Sequence, residues 1–377
     1  MVCTVQMPAA LGFRPCSRNA RALRIVQQGP CPIVRTLYLH IGAHRTATSA
    51  TQSFLARNND RLREHGYLPV NGVGRQTALV KALVEGERPV ADAARMIRQQ
   101  AEAGPAIHSA IISDENICFQ KDLSIFARFR EHFDVRVIFT LRRQDLWLES
   151  WYYQNIKWQW KPRFSHLTFP EFMDRRHEFH WIHYDSYIRH LETLFGGENI
   201  RLTVHERAQM PGGPIAAFCR HLGLDDLDGF TQPGRVNSSL SPPVAEFARR
   251  MPLDRAPSPY RRELIRVLYR IDAELRENSN RHSSLLMARP ERERVMAEFE
   301  PGNRAVAQRY FDRATLFEDP LPPADAPLGE MALPEASQDL MEDYIIPLLH
   351  GLIEGRRKNQ GKADGRGGSP AARRSGS

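Results

Sequence analysis

The stretch TLYLHIGAHRTATSATQSFLARNNDRL, residues 36–62, decides how the rest of the chain is read. Residues 36–41 are a short run rich in β-formers. Gly42-Ala43-His44-Arg45-Thr46 interrupts the run. From there Ala47, Ala50, Phe54, Leu55 and Leu62 recur at helical spacings, Gly66 stops the helix, and residues 67–70 are extended again. The order is strand, loop, helix, strand. A strand that turns directly into a helix leaves backbone N–H groups unpaired at the helix start, a geometry that holds phosphate or sulfate. Arg45, Thr46, Thr48 and Ser49 add one cation and three hydroxyls. The loop lacks the Gly-x-x-x-x-Gly-Lys-[Ser/Thr] pattern, and the same residues would also serve as an ordinary capped βα turn.

Working outward, the pattern repeats. Residues 76–103 read as helices broken near Gly86 and Pro89. Strands are predicted at 110–112, 135–141 and 200–204, with helices at about 145–157 and 184–195, the latter ending at Gly196-Gly197. Residues 241–311 read as mostly helical, 316–335 as a proline- and acid-rich wrapping loop, and 336–354 as a last helix. Strands alternating with helices predict an α/β fold: a P-loop-like parallel β-sheet flanked by helices on both faces, with a mostly helical C-terminal part.

The organisation is one domain, residues 36–354, between two extensions. The net charge of +8 divides into +5 from the five arginines of residues 1–35, +6 from residues 355–377, and −3 for the body. Residues 1–35 hold Pro8, Pro15, Pro30 and Pro32 and no sustained period, and 355–377 is low-complexity. Both read as disordered basic tails. With the positive charge confined there, no nucleic-acid partner is expected. No run of about 18 apolar residues occurs, so no membrane span is expected. The N-terminus has arginines but no apolar segment of a secretory signal. The cysteines, at 3, 16, 31, 118 and 219, form no Cys-x-x-Cys pair; Cys118 and Cys219 sit among apolar neighbours as core residues. A reducing, cytoplasmic location is the expectation. There is no metal-ligand spacing: His40 and His44 flank the loop but do not form the helical His-Glu-x-x-His arrangement, so no metal is expected.

The strand at 135–141 ends in Arg142-Arg143-Gln-Asp-Leu-Trp-Leu-Glu-Ser150. Two arginines at the carboxyl end of a strand, beside a helix start, suit an anion, and Ser150 follows two turns into that helix. The alternative is that both arginines cap acidic neighbours and Ser150 is incidental.

Residues 39–49, continued by Gln52, Leu55, Asn58 and Leu62, resemble the sulfotransferase family, whose members use 3'-phosphoadenosine 5'-phosphosulfate (PAPS). In bacterial members the loop reads roughly His-Ile-Gly-x-His-Lys-Thr-Gly-Thr-Thr. The resemblance implies a 5'-phosphosulfate loop at 42–49, made of Gly42, Ala43, Arg45, Thr46, Ala47, Thr48 and Ser49. It implies a 3'-phosphate element in Arg142 and Ser150, the spacing favouring Arg142 over Arg143. Residues 235–240 occupy a loop where relatives complete the cofactor site. Two departures stand out: Arg45 replaces the family lysine and Ala47 the family glycine. The lysine is thought to help the leaving phosphate depart; an arginine binds an anion but does not give up its proton.

The strand at 110–112 ends in Ser113-Asp-Glu-Asn116, at the edge where open parallel sheets gather ligand groups. Glu115 is the first candidate for the base, and His44 the second; Glu115 would otherwise be a first-turn residue of a capped helix. His108 belongs at the far end of that strand. All five tryptophans fall within 147–181. Trp147, Trp151 and Trp158 share a helical face, either a core stripe or a platform for sugar rings. Trp158-Gln-Trp160-Lys-Pro-Arg163 reads as an acceptor-lining loop, with Lys157, Lys161 and Arg163 favouring an anionic acceptor. Pro301-Gly-Asn303 has the look of bacterial relatives without an assigned role.

The sequence reading is therefore a sulfotransferase passing the PAPS sulfuryl group to a hydroxyl, most plausibly of a carbohydrate, and releasing adenosine 3',5'-bisphosphate (PAP). One alternative is a PAP- or PAPS-binding protein whose catalysis is impaired by Arg45. Another is a small-molecule P-loop kinase, which lacks its lysine loop here.

Overall fold

Strand β1 (Thr36–His40) sends Leu37 and Leu39 to one side and Tyr38 to the other, and all three are buried. A strand with two apolar faces needs cover on both. β1 lies at the centre of a five-stranded sheet with β2 (Tyr67–Pro69), β3 (Ser109–Ser113), β4 (Asp134–Leu141) and β5 (Ile200–Val204). The order is β2-β3-β1-β4-β5, and every pair is parallel. This computed structural model describes residues 36–102, 107–234, 239–277 and 283–364; the expectations for the 1–35 extension with its cysteines, for 235–238 and for the end of the tail lie outside them.

Eleven helices among the described residues cover the sheet and position the site. They are α1 (Thr48–Arg57), α2 (Asn59–Glu64), α3 (Thr77–Val84), α4 (Val90–Glu102), α5 (Gln144–Trp158) and α6 (Tyr184–Phe195). After β5 come α7 (Gly213–Leu222), α8 (Pro242–Arg250), α9 (Ser258–Glu277), α10 (Arg289–Phe311) and α11 (Ile346–Asp364). On one face, Tyr38, Ile111 and Ile138 pack with Phe54 and Leu55 of α1 and Phe218 and Leu222 of α7. On the other, Leu37, Leu39, Ile112, Val137 and Phe139 join α3, α4, α5 and α6 in a larger core. The α/β fold with a helical C-terminal part is the one the alternation predicts. No helix among the described residues is long and apolar enough to cross a membrane.

The structure differs from the sequence reading in three places. The helix expected to run through Leu62 breaks at Asn58. The Asn58 side-chain amide donates to the carbonyls of Phe54 and Thr231, each at 2.9 Å, and accepts the Thr231 N–H at 2.7 Å. A long-range clamp overrides the local period. Helix α7 was not predicted, although Ile215, Phe218, Cys219 and Leu222 fall at helical spacing and Gly223 caps it. The final helix, expected to end near 354, runs to Asp364.

Register sets the edge where chemistry can occur. His40 pairs with Ser113 and Ile138, so β1 and β3 end together while β4 runs three residues farther. The loops after β1, β3 and β4 therefore open side by side. The loop from β1 to α1 turns tightly: Gly42 has φ 36°, Arg45 φ 69° and Ala47 φ 65°. A Cβ on Gly42 would stand 2.5 Å from the Thr48 methyl, so only glycine fits. Ala47 occupies the left-handed conformation that glycine takes without penalty. Replacing Ala47 with glycine is expected to stabilise the protein by roughly 0.5–1 kcal/mol. The check is a higher urea midpoint at unchanged slope; a lower midpoint would show that the residue is unstrained.

Candidate functional site

None of the backbone N–H groups from Ala43 to Ser49 donates to a backbone carbonyl among the described residues. The loop keeps its shape by other means. Thr46 Oγ1 donates to the Ala43 carbonyl at 2.6 Å. Trp147 Nε1 donates to the His44 carbonyl at 2.8 Å, and Arg142 donates to the Arg45 carbonyl at 2.6 Å. The two elements singled out in the sequence are thus joined directly; the His44 N–H faces the Cys118 thiol, and the other loop amides are left for a ligand.

Arg142 and Arg143 take opposite directions, as consecutive residues leaving a strand do. Arg143 is buried in an ion-pair network. It holds Asp145 at 2.8 Å and donates to the Asp319 and Pro320 carbonyls, while Arg292 holds Asp145 and Glu149, each at 2.7 Å. That guanidinium is structural. The backbone of Arg142 is fixed by Tyr184, whose hydroxyl accepts the Arg142 N–H at 2.9 Å and donates to its carbonyl at 2.5 Å.

Arg45 crosses the loop toward α5. Its Nε donates to Ser150 Oγ at 2.6 Å, and its terminal nitrogens donate to Gln154 Oε1 at 3.3 Å and Ser239 Oγ at 3.1 Å. Neither Arg45 nor Arg142, both half-buried, has a carboxylate within ion-pair distance among the described residues. Burial lowers both, and with Arg45 beside it Arg142 falls to about 10. Lys157, buried on the same helix, donates to the Tyr269 hydroxyl at 3.0 Å. Burial first and then Arg45 lower its pKa to about 8. Three cations thus share one region in which the nearby carboxylates, Asp145 and Glu149, are already committed.

Beside them lies an acidic cluster. Glu115 accepts from Gln52 Nε2 at 2.5 Å, pairs with Arg75 at 3.2 Å, and has His44 Nδ1 at 3.8 Å. Burial raises the Glu115 carboxyl, opposed by Arg75. His44 stacks on Phe119 with centroids 4.4 Å apart, and its Nε2 has no hydrogen-bond partner among the described residues. Burial, then the charge of Arg75, holds His44 down at about 3. His40, behind the loop, shares a 2.7 Å hydrogen bond with Ser113. His108 lies at the amino end of β3, against Ser109 and the His65 carbonyl, away from this site.

The tryptophan stripe divides. Trp147 and Trp151 are core residues, whereas Trp160 is 47% exposed and stacks on Trp158 with centroids 5.4 Å apart. Trp160 also lies 6.2 Å from the His44 ring. Lys161 sits over Phe119, and Arg163 pairs with Glu178. Asn303 gains a role: it exchanges hydrogen bonds with Gln144 at the start of α5.

The sequence reading missed Arg75, Gln154, Ser239 as an Arg45 partner, and Tyr269. Arg75 is brought in because Gly74 packs against α1, where a Cβ would fall 1.7 Å from the Gln52 carbonyl oxygen. The Gly-Arg pair in a polar loop was its only trace. Among the described residues there is no group of three or more His, Cys, Asp or Glu suited to a metal ion.

No family model matches the chain. An uncharacterized protein of Archaeoglobus fulgidus is 27% identical over 194 residues, and the chain spans about half the length of this curated relative. Among solved structures, the crystal structure of a sulfotransferase from Alicyclobacillus acidocaldarius aligns with 54% of this chain and 87% of its own, at 14% identity and a TM-score of 0.38.

The buried histidines give a pH prediction. Burial holds His40 at about 4 and His44 at about 3, against 6.5 for a free imidazole. Between these values the unfolded chain binds protons that the folded chain refuses. Stability is therefore full above pH 6.5 and falls as the pH drops toward 4, by up to about 1.4 kcal/mol per pH unit for each histidine. The urea midpoint is expected to be lower at pH 5 than at pH 7, with a smaller drop in His44→Gln. Equal midpoints in the wild type would mean that these rings are not held neutral.

Proposed function

We propose that the chain is a PAPS-dependent sulfotransferase that transfers the sulfuryl group to a hydroxyl of a carbohydrate. One observation carries the reading: the half-buried guanidiniums of Arg45 and Arg142 lie together without a carboxylate at ion-pair distance among the described residues, beside a loop whose backbone amides find no backbone carbonyl. Partly dehydrated cations without a counter-charge favour an anionic ligand. The resemblance of residues 39–49 and 142–150 to the sulfotransferase loops narrows that ligand to a nucleotide with phosphate groups at both ends.

In this reaction the acceptor oxygen forms a bond to sulfur, the bond from sulfur to the 5'-phosphate oxygen breaks, and the acceptor proton passes to a base. Glu115 is the base in our reading. Its carboxyl is raised by burial, which makes its anion a stronger proton acceptor, and Gln52 and Arg75 orient it. His44, neutral and with an unpartnered Nε2, is the second candidate. The charge left on PAP would meet the loop N–H groups and the hydroxyls of Thr48 and Ser49, since the Thr46 hydroxyl proton is held by the Ala43 carbonyl. The exposed Trp160 ring, stacked on Trp158 near His44, supports a sugar as acceptor.

The test is calorimetric titration of PAP, without metal, into the wild type and Arg142→Ala. Micromolar binding that is lost in the variant is the expected result; no binding to the wild type would sink the reading. In a transfer assay Glu115→Gln is expected to lose on the order of 10²–10⁴ in kcat while binding PAP normally. Retained activity in that variant, with loss in His44→Gln, would move the base to His44. Metal-dependent ATP turnover would favour a kinase instead.

A further inference from the structure

The position of the Arg45 side chain does not match the task its loop suggests. A residue of the loop after β1 is expected to face the 5' end of the nucleotide. The guanidinium instead spans three neutral acceptors on other segments: Ser150 and Gln154 on α5, and Ser239 ahead of α8. Ser150 belongs to the element read as the 3'-phosphate site. Ser239 comes from the loop expected to complete the cofactor site. The main chain supports this direction, with φ 69° at Arg45 and its carbonyl held by the Arg142 guanidinium at 2.6 Å. A non-glycine residue in that conformation carries strain, which persists only when its surroundings enforce it.

We propose that Arg45 reads the 3'-phosphate, and that it is the residue by which this protein selects a nucleotide phosphorylated at the 3' position over one that is not. The proposal rests on the nucleotide-binding reading above and assigns a specificity determinant within it. Ser150 and Ser239 accept N–H groups from Arg45, which leaves each hydroxyl proton free to point outward. A guanidinium flanked by two outward-donating hydroxyls, with the Arg142 guanidinium beside it and the nearby Asp145 and Glu149 carboxylates held by Arg143 and Arg292, is a cradle for a phosphate dianion. A lysine has a single tip and cannot span Ser150, Gln154 and Ser239 at once. The arginine at this position is then a gain of 3'-phosphate recognition, and the 5' end is left to the loop amides and to Thr48 and Ser49.

The experiment compares PAP with adenosine 5'-monophosphate, which lacks the 3'-phosphate, by calorimetry on the wild type, Arg45→Met, Arg45→Lys and Ser150→Ala. The wild type is expected to prefer PAP by on the order of 100-fold. Arg45→Met and Arg45→Lys are expected to lose about 10- to 100-fold in PAP affinity with the monophosphate affinity within about threefold, so the preference collapses. Ser150→Ala is expected to shift PAP alone, in the same direction. Unchanged monophosphate binding reports that each variant is folded. Equal weakening of both nucleotides in the Arg45 variants would place the residue at the shared 5' end and overturn the proposal while the nucleotide-binding reading stands. Absence of PAP binding to the wild type would overturn both.

Discussion

Helix α5 is buried on nearly every side, so each of its polar side chains must find a partner inside the protein. Those partners are what assemble the molecule. Gln144 takes Asn303 of α10, and Asp145 and Glu149 take Arg292 of the same helix. Glu149 also accepts the N–H groups of Leu286 and Met287 ahead of α10. On the opposite flank Trp147 holds the His44 carbonyl and Ser150 receives Arg45. The helix therefore ties the helical C-terminal part to the loop after β1. Removing one member of the ion-pair network would leave a dehydrated charge without its counterpart, the expensive kind of loss in a protein interior.

That arrangement separates two chemical environments a few residues apart. On the Arg45 side stand Arg45, Arg142 and Lys157, each depressed by burial, with the charge of Arg45 lowering the other two further. On the His44 side stand Glu115 and Asp114, both reached by Arg75. Neighbouring residues of one loop serve the two: His44 lies against Glu115 and Arg45 reaches Ser150, with the backbone left-handed at Arg45. A group transfer between an anionic donor and a neutral hydroxyl needs such a division: cations where charge leaves, and a carboxylate where a proton leaves.

Much of this was legible in the chain. The spacing of residues 36–70 predicts strand, loop, helix and strand, and β5 and α6 stand where their sequence patterns indicate. Such elements are visible because apolar periodicity is local. Arg142 and Arg143 are adjacent and chemically alike, so composition could not assign their roles; the pleat and the position of Asp145 did. The Trp147 and Trp151 stripe fitted a core or a platform equally well until burial decided it. Asn58 looked like one more helical residue, and only the loop at Thr231 reveals why the helix breaks there.

The sequence by itself determined the alternation of elements and the presence of two basic elements at the ends of strands. Those properties depend on neighbours along the chain, through periodicity and backbone sterics. Tertiary structure alone decided which arginine faces the loop, that Arg75 joins Glu115, and that Arg45 reaches Ser150 across 105 positions of sequence. Side-chain direction and the pairing of distant charges follow from strand register and burial, which no local pattern encodes.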